Sequence, residues 1–71
     1  MKHPYCTVEA PSGKSVRHDM ATAQIMEGNL VVLEVEEDAG KISLKKNGQK
    51  WVYGPRGWLS VFQSAEERAD A

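Results

Sequence analysis

Between Asn29 and Tyr53 the chain alternates apolar and polar residues so regularly that any fold must accept this stretch as strand. Val31, Leu33 and Val35 interleave with Val32, Glu34 and Glu36, and Ile42 and Leu44 interleave with Lys41, Ser43 and Lys45. That is the period of half-buried strands. Asn47-Gly48 follows, a pair that tolerates the positive φ angles of a type I′ turn and so marks a hairpin. A two-residue turn there pairs Lys46 with Gln49, which sets Leu44 opposite Trp51 and Ile42 opposite Tyr53. A loop over Glu37 to Gly40 pairs Glu36 with Lys41, which sets Leu33 opposite Leu44 and Val35 opposite Ile42. Both registers place the same residues on one face, and a one-residue slip in either would scramble it. The expected inner face is Val31, Leu33, Val35, Ile42, Leu44, Trp51 and Tyr53; the outer face is Glu34, Glu36, Lys41, Ser43, Lys45, Lys50 and Val52.

A chain of 71 residues with 41% hydrophobic and 27% charged residues reads as one small globular domain over residues 1–71. A domain this size buries only about 60% of its extended-chain surface, so a homodimer is one route to added stability. Cys6 is the single cysteine, which excludes an intramolecular disulfide framework, and no Cys/His spacing supplies a structural metal site. The longest wholly apolar run, Leu30 to Leu33, is far short of a membrane span. Met1-Lys2-His3-Pro4 leads into no apolar signal region, and the free thiol agrees with a reducing compartment. The expectation is a soluble cytoplasmic protein with no membrane partner.

Tyr5 to Ala10 reads as a first, edge strand, with Cys6 and Val8 facing one way and Tyr5, Thr7 and Glu9 the other. Pro11-Ser12-Gly13 is turn chemistry. Ser15 to Glu27 is expected to be a helix. Ser15 or Asp19 can cap its start and Gly28 can supply the left-handed residue past its end. Ala, Met and Gln favour helix in its middle, and as a strand it fails to alternate at Met20, Ala21 and Ala23, then at Ile25 and Met26. The alternative is a strand that turns at Gly28-Asn29 into Leu30, giving a small all-β barrel. Gly54-Pro55-Arg56-Gly57 is a dense turn signal. Trp58 to Phe62 then reads as a fourth meander strand that adds Trp58 and Phe62 to the inner face. Ser64-Ala65-Glu66-Glu67 has the pattern of a capping box, expected to start a short helix from Ala65 into the tail. The expected class is α+β, ordered β-α-β-β-β-(β)-α, with helices on one face of an antiparallel sheet.

Pro11-Ser12-Gly13-Lys14-Ser15 ends like a phosphate-binding loop, but Val8 stands where that motif needs glycine. His3, Cys6 and His18 fall short of the four ligands of a closed zinc site. Ser15, His18 and Asp19 lie within one turn of the expected helix and read as a solvated helix start rather than a triad. No catalytic, metal or cofactor-binding residue is assigned.

The net charge of −1 hides an asymmetry, because no acid occurs between Asp38 and Glu66. Lys41, Lys45, Lys46, Lys50 and Arg56 lie in that gap, interleaved with Trp51, Tyr53 and Trp58. Together with Trp58 these basic residues are the candidate binding surface, for a protein partner or for nucleic acid, with Glu34 and Glu36 as an acidic counter-patch. The expected registers turn Trp51 and Tyr53 inward, away from the lysines; Arg56 and Trp58 lie beyond those registers and, if Trp58 is not drawn in by the fourth strand, are exposed beside their turn. Lys45 directly opposite Lys50 would be unfavourable without an anionic partner or quenching by Glu34 or Glu36.

A helix leading into Gly28-Asn29-Leu30-Val31-Val32, then Gly40-Lys41-Ile42-Ser43-Leu44 and Asn47-Gly48-Gln49-Lys50-Trp51, resembles several small phage-encoded proteins, including some of the anti-CRISPR type. Phe62-Gln63-Ser64-Ala65-Glu66-Glu67 is similar to the strand-to-helix junction of phage integrase arm-binding domains. The resemblance covers about the middle half of the chain and implies a non-enzymatic, stoichiometric inhibitor or modulator of a host protein or nucleoprotein complex. It transfers no functional residue. The alternative is a small nucleic-acid-binding module.

Overall fold

A computed structural model describes residues 2–67. Within them lie seven strands: β1 (Lys2–Glu9), β2 (Ser15–Asp19), β3 (Ala21–Met26), β4 (Asn29–Asp38), β5 (Lys41–Leu44), β6 (Lys50–Tyr53) and β7 (Ser60–Glu67). One sheet has the order β2-β1-β7; in the other, β4 is flanked by β3 on one edge and by β5 and β6 on the opposite edge. All pairings are antiparallel. The fold is therefore all-β. The expected α+β class is wrong, and the all-β alternative is the one that fits.

The expected helix over Ser15 to Glu27 is two strands joined at a corner. Met20 sits there in the left-handed region, with φ 50°, and its carbonyl accepts from the Val35 amide at 2.9 Å. Before the corner, Val16 and His18 lie opposite Val8 and Cys6; after it, Ala21, Ala23 and Ile25 lie opposite Glu34, Val32 and Leu30. The step from His18 to Ala21 is three residues, so the period of two breaks at the bend and the sequence no longer looks like strand. Two complete ladders, β1 with β2 and β3 with β4, outweigh the helix propensity of Ala, Met and Gln. A strand that crosses from one sheet to the other in this way forms a corner of the sandwich. Gly28 does take a left-handed φ, 82°, but with Glu27 at 52° it closes a two-residue hairpin between Met26 and Asn29.

The C-terminal helix is also corrected. β7 pairs with β1 along its whole length, from Glu9 opposite Ser60 to Lys2 opposite Glu67, so Ser64 and Glu67 are ladder residues rather than caps. This pairing makes β1 the central strand of its sheet, not the expected edge. Trp58 to Phe62 adds nothing to a meander: Phe62 points outward opposite Thr7, 59% exposed, with its ring 6.3 Å from that of Tyr5. Residues 68–71, into which the helix was expected to run, lie outside the described residues.

Cys6 and Val8 from β1, Ala21 from β3, and Leu30 and Val32 from β4 form the buried core, with Ala23, Trp51, Tyr53, Trp58 and Val61 packed against it. Gln63 closes the seam between the sheets. The backbone groups of Ala21 and Ala23 point away from β4, and the Gln63 side chain meets them as an added strand would. Its Oε1 accepts from the Ala23 amide at 3.0 Å, while its Nε2 donates to the carbonyls of Tyr5 at 2.8 Å and Ala21 at 3.4 Å. Gln63→Ala should lower stability by about 1 kcal/mol, the usual net worth of such hydrogen bonds, read as an earlier urea midpoint; an unchanged midpoint would mean the seam closes without it.

Candidate binding surface

Ala39 and Gly40 take φ values of 51° and 83°, so the first hairpin turns in two residues rather than over Glu37 to Gly40. β4 gains length, and Val35 faces Leu44 while Glu37 faces Ile42. The observed register is displaced by two residues from the expected one, which preserves which side chains share a face. The second expected register does not form. β6 pairs with β4, placing Val31 opposite Val52, Val32 opposite Trp51 and Leu30 opposite Tyr53. Leu44 and Ile42 therefore do not face Trp51 and Tyr53, and Lys45 does not face Lys50. β5 and β6 lie end to end along one edge of β4, both antiparallel to it and so running in the same direction.

Glu34 marks the changeover. Its amide donates to the Gln49 carbonyl on the β6 side, and its carbonyl accepts from the Lys45 amide on the β5 side, both at 3.0 Å. The Gln49 amide, whose ladder acceptor is thus already engaged, donates instead to Glu34 Oε1 at 2.8 Å, and Lys45 Nζ lies 3.4 Å from Oε2. The Gln49 amide first, and Lys45 second, hold the Glu34 carboxyl below the usual carboxylate range. Between these anchors Lys46 and Asn47, the latter with φ 60°, are the central residues of a turn closed from the Gly48 amide to the Lys45 carbonyl at 3.0 Å. The expected type I′ turn, with Asn47-Gly48 central and Lys46 opposite Gln49, does not form. A Cβ on Gly48 would come within 2.9 Å of Lys45 Cβ and 3.2 Å of Glu34 Cβ. The turn is a loop packed onto Glu34, not the tip of a hairpin.

This topology sorts the candidate residues into separate places. Lys41 pairs with Asp38, and Glu36 with Ser43, on the projecting β4–β5 hairpin. Lys45 is tied to Glu34 and Lys46 lies on the loop; Lys50 faces Leu33 on the other face of the sheet. Arg56 lies in the Gly54–Gly57 turn, near the opposite end of β4, where Pro55 approaches Gly28. From Leu30 to Asp38 a strand extends about 26 Å at roughly 3.3 Å per residue, so these basic groups do not converge on one point. Trp58 is half-buried, and its Nε1–H donates to the Gly28 carbonyl at 3.1 Å. It is not the exposed platform expected from sequence.

What the β4–β5–β6 face presents instead is apolar. Val31, Leu33 and Val35 share it with their register partners Val52, Lys50 and Leu44, and Ile42 lies opposite Glu37. Leu44, Val52 and Ile42 are 62%, 60% and 38% exposed. The expected single inner face is therefore split: Trp51 and Tyr53 do point into the core, but beside Val32 and Leu30, while Val31, Leu33, Val35, Ile42 and Leu44 lie on the opposite face of the sheet.

The groups with reactive chemistry are inside. His18 is only 8% exposed; its Nε2 lies 2.7 Å from the Tyr53 hydroxyl and its ring centroid 4.5 Å from that of Trp51. Burial lowers the His18 pKa and raises those of Cys6 and Tyr53. The helix reading placed His18 on a solvated turn and missed this pairing; the spacing of Val16 and His18, read as strand, was the available signal. Asp19 faces away from His18 and pairs with Arg17 at 2.9 Å, and His3 faces away from Cys6. Neither the triad nor the three-ligand set is brought together. On that outer face Arg17 also binds Glu66 at 2.6 Å and lies 4.0 Å over the Tyr5 ring.

No family model, curated protein or solved structure matches the chain.

Gly48→Ala should cost about 1–3 kcal/mol by forcing Lys45 and Glu34 apart, measured by chemical unfolding; a neutral result would mean the loop is free to move. His18 gives a pH dependence of opposite direction to that of a salt-bridged histidine. Its folded pKa lies below the ordinary value of about 6.5, so the unfolded chain takes up the proton first. Stability is full above that value and falls as pH drops from 7 towards 5. His18→Gln should flatten the melting temperature across this window, and an unchanged slope would exclude His18 as its source.

Proposed function

We propose that the chain is a non-enzymatic protein-binding module that acts in the cytoplasm as a stoichiometric inhibitor or modulator of its partner. The observation that carries this reading is the face on which Ile42, Leu44 and Val52 stand exposed around Val31, Leu33 and Val35. Lys50 and Glu37 lie on this same face, opposite Leu33 and Ile42, whereas Lys41, Lys45, Glu36 and Asp38 lie on the other. Exposed apolar side chains grouped on one face, with few charges among them, are the mark of a protein-binding patch. The burial of Cys6 and His18, with Tyr53 partly buried beside them, supports a role without catalysis. Among the described residues no helix is long and apolar enough to cross a membrane.

The nucleic-acid alternative loses support from the same geometry. Base stacking needs exposed rings beside the cations, whereas Trp51 and Tyr53 pack on the core, Trp58 is held at Gly28, and Lys45 is shared with Glu34. The proposal rests on the surface and not on the phage-protein resemblance, whose helix and strand-to-helix junction fall on strands here.

The test is affinity capture from a native lysate with the tagged chain, comparing the parent with Leu44→Asp combined with Val52→Asp. Both positions are exposed, so the variant should fold. Recovery of one defined partner at fixed stoichiometry, lost at least tenfold in the variant, is the expected outcome. Equal recovery by both would exclude this face.

A further inference from the structure

We propose that the β5–β6 edge binds an extended, acidic peptide segment of its partner as an added strand. The inference rests on the protein-binding reading and specifies its mode. Because the amide and carbonyl of Glu34 both engage the β5–β6 side, the backbones of Ser43, Trp51 and Tyr53 face β4, and those of Ile42, Leu44, Lys50 and Val52 face away from it. Among the described residues no strand pairs with that outer edge. β5 and β6 run in the same direction, so an added strand meets one continuous polarity opposite Val31 to Glu37, a span of about seven residues. The Lys45–Gly48 turn packs over the Glu34 side chain, on the opposite face from Leu44 and Val52.

Of the other edges, β2 and the first half of β3 do not offer this, and the outward residues of β7 include Gln63, whose side chain reaches β3. The outward backbone of β3 at Ala21 and Ala23 is met by Gln63. On β2 the outward residues include Arg17 and Asp19, which pair with each other. The β5–β6 edge combines outward backbone groups with exposed Ile42, Leu44 and Val52 on the same residues. Such an edge invites strand addition, in which main-chain bonds supply affinity and alternate side chains supply selection.

Charge selects the occupant. Lys41, Lys45, Lys46 and Lys50 lie along this edge, with Lys45 shared with Glu34 and Lys50 on the opposite face from Lys41, and β5 and β6 themselves carry no acid. Two copies paired through this edge would bring these lysines together, so the row disfavours a second copy and favours acids. The fitting segment alternates apolar side chains, set beside Ile42, Leu44 and Val52, with carboxylates set towards Lys41 on the opposite face.

The probe is an acetylated, amidated heptapeptide alternating valine and glutamate, titrated into the ¹⁵N-labelled chain. Shifts and slowed amide exchange concentrated at Ile42, Leu44, Lys50 and Val52 are expected. At least tenfold weaker binding should follow from replacing glutamate by lysine in the peptide, or from N-methylating alternate peptide amides, a control that leaves the protein unaltered. Val52→Pro, which removes one outward donor and no β4 bond, should weaken binding equally.

No binding at millimolar peptide, equal binding of the lysine peptide, or tolerance of N-methylation would each overturn the proposal. So would tighter binding of a single-stranded oligonucleotide at the same amides, or protection of them by concentration-dependent dimerisation. If the peptide fails while Leu44→Asp with Val52→Asp still abolishes partner capture, strand addition is excluded and the protein-binding reading stands.

Discussion

Glu34 is where the second sheet changes partners. A strand residue offers its neighbour one donor and one acceptor, and Glu34 gives its acceptor to Lys45 and its donor to Gln49. The intervening residues are expelled from the ladder as a loop, and the side-chain carboxylate meets the Gln49 amide that would otherwise lack an acceptor. From this follow the end-to-end placement of β5 and β6, the inward turn of Trp51 and Tyr53 beside Val32 and Leu30, and the outward backbone of Ile42, Leu44 and Val52. A hairpin between β5 and β6 would have paired part of that edge and moved the apolar face elsewhere.

The remainder of the architecture is set by a bend and a bridge. Met20 lets one run of chain serve both sheets, and Gln63 closes them with a side-chain amide in place of backbone. Both devices suit a chain too short to enclose a large core. His18, brought in by β2, fills the space between the sheets against Trp51 and Tyr53, where a neutral imidazole packs as an aromatic with one satisfied nitrogen.

Strand character over Leu30 to Val35 and Ile42 to Leu44, the facing of Cys6 and Val8, and the inward direction of Trp51 and Tyr53 were legible because each rests on local alternation. The helix expected over Ser15 to Glu27 failed where alternation is interrupted by a single left-handed residue, Met20, which no sequence period reveals. The second helix failed because the partner of Ser60 to Glu67 is β1, a contact spanning nearly the whole chain. A turn does form here, but centred on Lys46-Asn47 rather than Asn47-Gly48, and a turn signal carries no information about which strand its flanks will pair with. That choice was made by Glu34. The basic residues looked like one constellation in sequence and are distributed along β4 and its two ends in space, while the apolar face at Leu44 and Val52 was obscured by the expectation that Leu44 was core.

The end-to-end arrangement of β5 and β6 is the claim on which the surface depends, and cross-strand proton contacts test it directly. In antiparallel sheet the α-protons of pairs without mutual hydrogen bonds lie closest, and here those pairs are Val31 with Val52 and Leu33 with Lys50. Nuclear Overhauser effects between the α-protons of Val31 and Val52 are predicted, with none linking β5 to β6. Cross-strand effects between Leu44 and Trp51, or Ile42 and Tyr53, would show a hairpin in their place and contradict the account.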